Sequence, residues 1–204
     1  MKYPRVPSET IRRLPVYLRG LSGLAEGGCR YISSSELAEL LGINSWQIRK
    51  DISYFGDFGT RGVGYDICEL VKQIKKNLKL NVVNRVALVG VGNLGSAVLS
   101  YPGFQRYGFD ITVAFDVDTK KIGKKINDIT IEDISNIKSL KKRRISIGVI
   151  AVPQQAAQQI ADALVEAGVR AILNFSPCYV AVPKKVKVTT IDIAMDLARL
   201  PYYM

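Results

Sequence analysis

RKDISYFGDFGTRGVGY (49–65) decides the fold of the first part of this 204-residue chain, and RVALVGVGNLG (85–95) decides the second. In the first stretch a basic amphipathic segment runs straight into a glycine-studded basic loop. Ile48, Ile52 and Phe55 fall at i, i+4 and i+7, which predicts a helix from Trp46 to about Phe55 with these three inward. The opposite side then carries Ser45, Gln47, Arg49, Lys50, Ser53 and Tyr54. Arginine and glutamine can bond base edges in pairs, and lysine, serine and tyrosine can hold phosphates. Asp51 interrupts this face and is expected to pair with a neighbouring base or to fix an arginine. The alternative is an ordinary solvated helix face, and the loop that follows weighs against it. Gly56, Gly59, Gly62 and Gly64 space out Phe58, Arg61 and Tyr65, a pattern that cannot be helical and suits a tight hairpin. A basic hairpin directly after a recognition helix reads as a wing, with Arg61 at its tip for a minor groove or flanking phosphates. Its plainer reading is a connecting hairpin.

Upstream, Ser8 is expected to cap a helix with Ile11, Leu14, Leu18 and Leu21 inward, Pro15 near its start and Gly27-Gly28 at its end. Ser33-x-x-Glu36 reads as a capping box for a short helix with Leu37, Leu40 and Leu41 inward and Gly42 as its stop. Asn44 or Ser45 caps the next helix after a tight turn, so the pair forms a helix-turn-helix. Ile67, Leu70, Val71, Ile74 and Leu78 define another helix, and KLNVVNR leads out of the domain.

The second stretch begins with the apolar strand Val86–Val89, as a parallel sheet covered on both faces requires. Gly90-Val91-Gly92-Asn93-Leu94-Gly95 follows at once and opens a helix. This is Gly-x-Gly-x-x-Gly in a strand-turn-helix setting, the turn that lets a pyrophosphate approach the backbone. A second strand, Ile111–Phe115, ends in Asp116, placed 21 residues after Gly95 to bind the adenine-ribose hydroxyls. Asp116 and Asp118 would repel a 2′-phosphate, favouring NAD(H), although Lys120 and Lys121 soften that preference. Strand and helix alternate onward: Ile145–Ile150 ends at Ala151-Val152-Pro153, Gln155–Ala167 is helical up to Gly168, and Ala171–Asn174 ends at Phe175-Ser176-Pro177. Both turns are expected on the nicotinamide side, since ligands sit at the carboxyl ends of such strands.

Composition bounds the remaining options. Apolar residues make up 48% of the chain, no window reaches a membrane span, and MKYPRVPSET does not open like a signal peptide, so a soluble cytoplasmic protein is expected. With no histidine, and Cys29, Cys68 and Cys178 far apart, no metal site is expected and the thiols read as free and buried or half-buried, with a redox-active pair only if folding brings two of them together. The net charge of +11 favours a polyanionic partner but does not locate it, because residues 1–80 carry +5 and residues 81–204 carry +6. KKIGKK (120–125) and KSLKKRR (138–144) read as solvated helix ends and loops.

Hydride transfer to a carbonyl usually needs a positioned proton donor, most often histidine. A Tyr-x-x-x-Lys pair is missing too: four residues after Tyr101 and Tyr107 stand Gln105 and Ile111. With about 80 residues before the glycine turn's strand and little after the sheet, no substrate domain is expected. The dinucleotide therefore reads as a ligand and the chain as no enzyme, with no catalytic residue. The rivals are an NAD-dependent oxidoreductase with a fused DNA-binding domain and a CoA-binding regulator.

RLPVYLRGL (13–21), IRKDISYFGDFGTRGVGY (48–65), GVGNLGSAVLSYPGF (90–104), FDVD (115–118), AVP (151–153) and NFSP (174–177) together resemble the Rex family of redox-sensing transcriptional repressors over nearly the whole length. The resemblance implies an α/β chain: a winged helix-turn-helix DNA-binding domain (1–80), a Rossmann-type doubly wound parallel sheet binding NAD(H) (81–189), and a short helical dimerisation arm (190–204). It also implies a homodimer on inverted-repeat, double-stranded operator DNA, released by NADH, with NAD⁺ competing weakly or supporting the bound form. DNA contacts are carried over to Ser45, Gln47, Arg49, Lys50, Ser53, Tyr54, Thr60, Arg61 and Tyr65. Cofactor contacts are carried over to Gly90, Val91, Gly92, Asn93, Leu94, Gly95, Asp116, Asp118, Ala151, Val152, Pro153, Asn174 and Ser176. Arg19 and Asp192 match family positions of a pair across subunits. TIDIAMDLARLPYYM (190–204) begins like the family's C-terminal helix but meets Pro201, so a shorter arm is expected.

Overall fold

The structure is a computed structural model that describes residues 6–204; residues 1–5, half of the segment read against a signal peptide, lie outside it. The chain forms two compact units, up to Val82 and from Val83 onward.

In the first unit α1 (Ser8–Glu26) is capped one residue before the expected position. Pro7 is the N-cap, with its carbonyl accepting from Ile11 N at 3.2 Å, so Ser8 lies inside the helix and caps nothing. The buried stripe is Thr10, Leu14, Tyr17, Leu18 and Leu21, while Ile11 is exposed; Pro15 sits on an exposed side of a helix that continues past it. The stripe differs from the apolar periodicity because Thr10 and Tyr17 turn inward to bond Asp51. After strand β1 (Tyr31–Ile32), α2 (Ser34–Leu41) carries the complete capping box: Glu36 N donates to Ser33 Oγ at 3.1 Å and Ser33 N to Glu36 Oε2 at 2.7 Å. Gly42 ends it in the left-handed region. Leu37 is buried but Leu40 is exposed, a correction to the inward set. It and Leu41 flank Gly20 of α1, where an added Cβ would lie 2.8 Å from Leu41 Cδ2.

Helix α3 (Ser45–Ser53) is capped by Asn44, whose Oδ1 accepts from Trp46 N at 2.8 Å. It ends before Phe55, which is only half-buried; the third inward position goes to Asp51. Strands β2 (Gly59–Thr60) and β3 (Gly64–Asp66) form the hairpin, and β1 completes a three-stranded sheet in the order β1-β3-β2. Asp66 then caps α4 (Ile67–Asn77), which buries Ile67, Leu70 and Ile74.

Asp51 gives this unit a pH dependence. Burial pushes its carboxyl up, but hydrogen bonds from Arg13, Tyr17, Thr10 and Gln47 outweigh burial and bring it to about 2, from 3.8. A carboxyl depressed on folding stabilises above its unfolded value and loses that contribution as the pH falls through its folded value. The first unit should therefore lose about 2 kcal/mol between pH ~4 and ~2. The sole tryptophan, Trp46 in α3, reports this by fluorescence; an Asp51→Asn chain should be less stable at neutral pH and show a flatter acid limb.

In the second unit β4 (Asn84–Val89) runs to the glycine turn and α5 (Asn93–Leu99), followed by the single turn α6 (Gly103–Arg106) and β5 (Phe109–Asp116). A hairpin of β6 (Lys125–Ile126) and β7 (Ile129–Asp133) comes next, then a 3₁₀ helix (Ile134–Lys141), β8 (Ile147–Ile150), α7 (Gln154–Glu166), β9 (Ala171–Asn174) and β10 (Lys187–Thr190). The sheet order is β10-β9-β8-β4-β5-β7-β6, with every pair parallel except β6 with β7. The chain reverses direction across the sheet at β4, placing a crevice outside the carboxyl ends of β4 and β8. One core, with Phe115, Leu140 and Leu164, and another, with Leu88, Val98 and Val149, are built from its apolar residues.

KKIGKK is a turn leading into β6 and KSLKKRR ends the 3₁₀ helix and turns, as the loop and helix-end reading expected, whereas β10 departs from the alternation by following β9 without an intervening helix. The β6–β7 turn is Asn127-Asp128, both at positive φ, the two-residue hairpin conformation that asparagine and aspartate tolerate best. Helix α8 (Ile193–Leu197) and a 3₁₀ turn (Leu200–Tyr203) close the chain. Among the described residues no helix is long and apolar enough to cross a membrane, and no metal-binding cluster of His, Cys, Asp and Glu occurs.

Candidate functional site

Two sites lie in separate units. In the first, a groove between α3 and the wing is lined by Ser34, Arg49, Ser53, Thr60, Arg61 and Tyr65, among others. Thr60 pairs with Gly64 across the hairpin, and Arg61 and Gly62 form its exposed tip. Gly64 has φ +98, and a Cβ there would lie 2.4 Å from the Ile32 carbonyl, so only glycine lets β3 approach the backbone at the end of β1.

The proposed DNA contacts divide by exposure. Arg49, Lys50, Ser53, Thr60 and Arg61 are exposed, and Ser45, Gln47 and Tyr54 are half-buried. Arg49 Nη1 donates to Ser34 Oγ at 2.8 Å, which ties the middle of α3 to the start of α2 and engages one of the five guanidinium donors. Lys50 stacks over the exposed Trp46 ring at 4.8 Å. Tyr65 is 8% exposed and packs against Gly59, so its ring supports the wing as well as lining the groove; burial also pushes its phenol up. The structure adds Trp46, read above only as the start of a helix, and the α1 residues Thr10, Arg13 and Tyr17. These three recur at i, i+3 and i+7, a polar stripe that could have been matched with the lone acid of α3.

In the second unit the strand ends meet around the glycine turn. Gly90 N donates to Phe115 O, Ala151 N to Val89 O and Phe175 N to Ile150 O, so β4, β5, β8 and β9 finish in line. The three glycines serve different ends. A Cβ on Gly90 would lie 2.4 Å from Ala151 O, and one on Gly95 would lie 1.9 Å from Gly90 O. Protein backbone accounts for both. A Cβ on Gly92 would meet nothing within 4 Å, and its φ is ordinary at −81. The protein's own packing does not require glycine there, whereas a pyrophosphate pressed against the backbone does. The residues present therefore fit a dinucleotide.

Asp116, 8% exposed, ends β5 beside this turn. Its Oδ2 accepts from Val91 N at 2.8 Å and Lys121 Nζ at 3.2 Å, and its Oδ1 from Asp118 N at 2.9 Å. Burial pushes this carboxyl up, and the backbone N–H groups of Asp118 and Val91, with Lys121, hold it below the usual range instead. Lys121 also reaches Asp118 at 3.8 Å. Asn93 and Leu94 are exposed on the first turn of α5, while Val91 is buried and offers only backbone.

At the other end of the crevice Ala151 and Val152 are half-buried and Pro153 exposed. Asn174 and Ser176 are 0% and 1% exposed. Asn174 Nδ2 donates to Ser176 O, Cys178 O and Thr190 Oγ1, its Oδ1 accepts from Ser176 N, and Ser176 Oγ donates to Val152 O at 2.6 Å. Their side chains bind the β8 and β9 turns together. Arg19 is exposed on α1, and Asp192 caps α8, accepting from Met195 N at 3.1 Å.

Comparison with known proteins agrees with this division. A family described as a putative DNA-binding protein N-terminus matches residues 5–53, and a CoA binding domain matches residues 81–178. The chain is 46% identical over 199 residues to a redox-sensing transcriptional repressor Rex of Chloroflexus aurantiacus, covering 97% of this chain and 94% of the relative. It is 43% identical to that of Syntrophobacter fumaroxidans, covering 100% and 98%. Among solved structures it resembles RSP in complex with β-NAD⁺ and operator DNA (TM-score 0.92, 36% identity, covering 98% of this chain and 93% of that one). It also resembles RSP in complex with β-NADH (TM-score 0.90, 34% identity, covering 98% and 94%).

Proposed function

The chain belongs to the Rex family of redox-sensing transcriptional repressors, and we propose that it represses transcription as a homodimer on inverted-repeat operator DNA and lets go when NADH binds. The observation that carries this reading is the open Gly92 beside Asp116, in a chain whose other unit presents a basic helix and wing. The relatives are named as repressors, and a repressor needs no catalytic group. A protein that works on operator DNA is, in this reading, cytoplasmic.

In this reading residues 1–80 bind DNA. Arg49 and Gln47 face base edges, Ser45, Lys50, Ser53 and Tyr54 hold the helix to phosphates, and Thr60 and Arg61 extend the grip from the wing. Residues 81–189 hold NAD(H). The backbone of Gly90–Gly95 cradles the pyrophosphate, Asp116 accepts from the adenine ribose, and Asp118 beside it disfavours a 2′-phosphate. The apolar turn Ala151-Val152-Pro153, braced by Asn174 and Ser176, suits an uncharged reduced ring better than the cationic oxidised one. Residues 190–204 join the subunits, supported by the exposed side chains of Ile193, Met195, Leu197 and Leu200, with Arg19 and Asp192 as a pair between them. Two recognition helices read both half-sites only at the groove repeat of ~34–36 Å. Release follows if the arrangement that breaks this spacing binds NADH more tightly, and each tenfold preference is worth ~1.4 kcal/mol.

The test is a titration of operator release at one salt concentration with NADH, NAD⁺, NADPH and CoA. NADH should act at the lowest concentration, at least about tenfold below the others. An operator complex that persists at saturating NADH overturns the reading, and release by CoA alone transfers it to the CoA-binding alternative.

A further inference from the structure

Asp51 is 0% exposed in the middle of the reading helix, and its two oxygens accept five hydrogen bonds. Oδ1 accepts from Thr10 Oγ1 at 2.9 Å, Arg13 Nη2 at 3.0 Å and Gln47 Nε2 at 2.8 Å. Oδ2 accepts from Arg13 Nε at 2.6 Å and Tyr17 Oη at 2.7 Å. All donors but Gln47 come from α1.

Packing two helices does not call for this arrangement. Removing a carboxylate from water costs several kcal/mol, and apolar residues of similar volume commonly serve a helix contact as well or better. What a carboxylate does, and a leucine cannot, is accept only. Gln47 must therefore turn its Nε2 toward Asp51 and bond one N–H there. That leaves the second N–H and Oε1 in a fixed order on the groove side. Base pairs differ in the major groove by their order of donors and acceptors, so a glutamine amide rotated by half a turn reads a different pattern.

We propose that Asp51 is a positioning residue for base selection: without touching DNA, it sets the direction of the Gln47 amide and locks the reading helix to α1. This rests on the reading above that Gln47 meets a base edge. Asp51→Asn keeps the shape but supplies both a donor and an acceptor, so the Gln47 amide can be satisfied in either direction.

The test uses the full chain and the tightest inverted repeat that the wild type selects from random duplexes, together with every single-base-pair variant of it. Gln47→Ala should lose discrimination, by about tenfold, at the base pair it reads in each half-site. Asp51→Asn should lose it at that same base pair and keep the rest of the selectivity profile, and adding Gln47→Ala to Asp51→Asn should change little more. A uniform loss of affinity in Asp51→Asn with the profile intact, or losses that add in the double variant, overturns the proposal by reducing Asp51 to a structural residue. If Gln47→Ala leaves every position unchanged, the base-reading assignment itself fails and the proposal falls with it. A measurement on the wild type guards against an unfolded variant: in free protein one Gln47 side-chain N–H should exchange with solvent far more slowly than those of the exposed Gln155. Equal rates overturn the proposal too.

Discussion

A Gly92→Val chain is expected to hold its operator as the wild type does and to ignore NADH at concentrations that release the wild type. Gly92 has an extended backbone (φ −81, ψ −161), which a β-branched residue favours, and no atom beyond its own chain neighbours lies within 4 Å of the added Cβ. Folding should hardly notice the change. The isopropyl group would occupy the space in which a pyrophosphate approaches the turn. Overfilling a close contact costs about 1–3 kcal/mol, or roughly 5- to 150-fold in NADH affinity. Calorimetry of NADH binding and anisotropy of a labelled operator check the two halves separately, and a wild-type release curve would remove the turn from the mechanism. Substitution at Asp116 is a poorer probe. Its carboxylate also holds the N–H groups of Val91 and Asp118, so losing it disturbs the loop as well as any ribose contact. Gly95→Ala is poorer still, because its Cβ would lie 1.9 Å from the Gly90 carbonyl and break the turn itself.

Arg49→Ala should weaken operator binding by about 1–3 kcal/mol while leaving NADH affinity unchanged. Arg49 is exposed and bonded to Ser34 through one nitrogen, so the substitution removes little from the fold. The diagnostic quantity is the ratio of operator to random-duplex affinity. If that ratio falls, Arg49 reads a base. If both affinities fall equally and the salt dependence flattens by about 0.9 in log–log slope, Arg49 holds a phosphate and specificity lies elsewhere.

Much of the fold was legible because its signals are short-range. The capping box of Ser33 and Glu36 closes over three residues, and the Gly90–Gly95 turn sits between an apolar strand and its helix; both formed where expected. Ala171–Asn174 is the strand that was expected. The β6–β7 hairpin was also legible in principle, since Asn127-Asp128 stands between Lys-Ile and Ile-Thr, but the weak apolar content of its strands hid it. Strand β10 was less so. Its alternation is poor because it lies at a sheet edge with little of its surface buried, and it is a strand chiefly through pairing with β9.

The sequence by itself determined the capping box, the glycine turns and which separate stretches suit a duplex and a dinucleotide. Those properties depend on backbone conformations and spacings within a few residues. Only the tertiary structure decided which polar side chains face outward. Asp51 is buried by donors up to 41 residues away, Ser176 bonds across 24 residues to Val152, and Tyr65 lies beneath the wing. A buried polar group must find its partners wherever the packed helices and strands bring them, and that meeting is a property of the assembled unit.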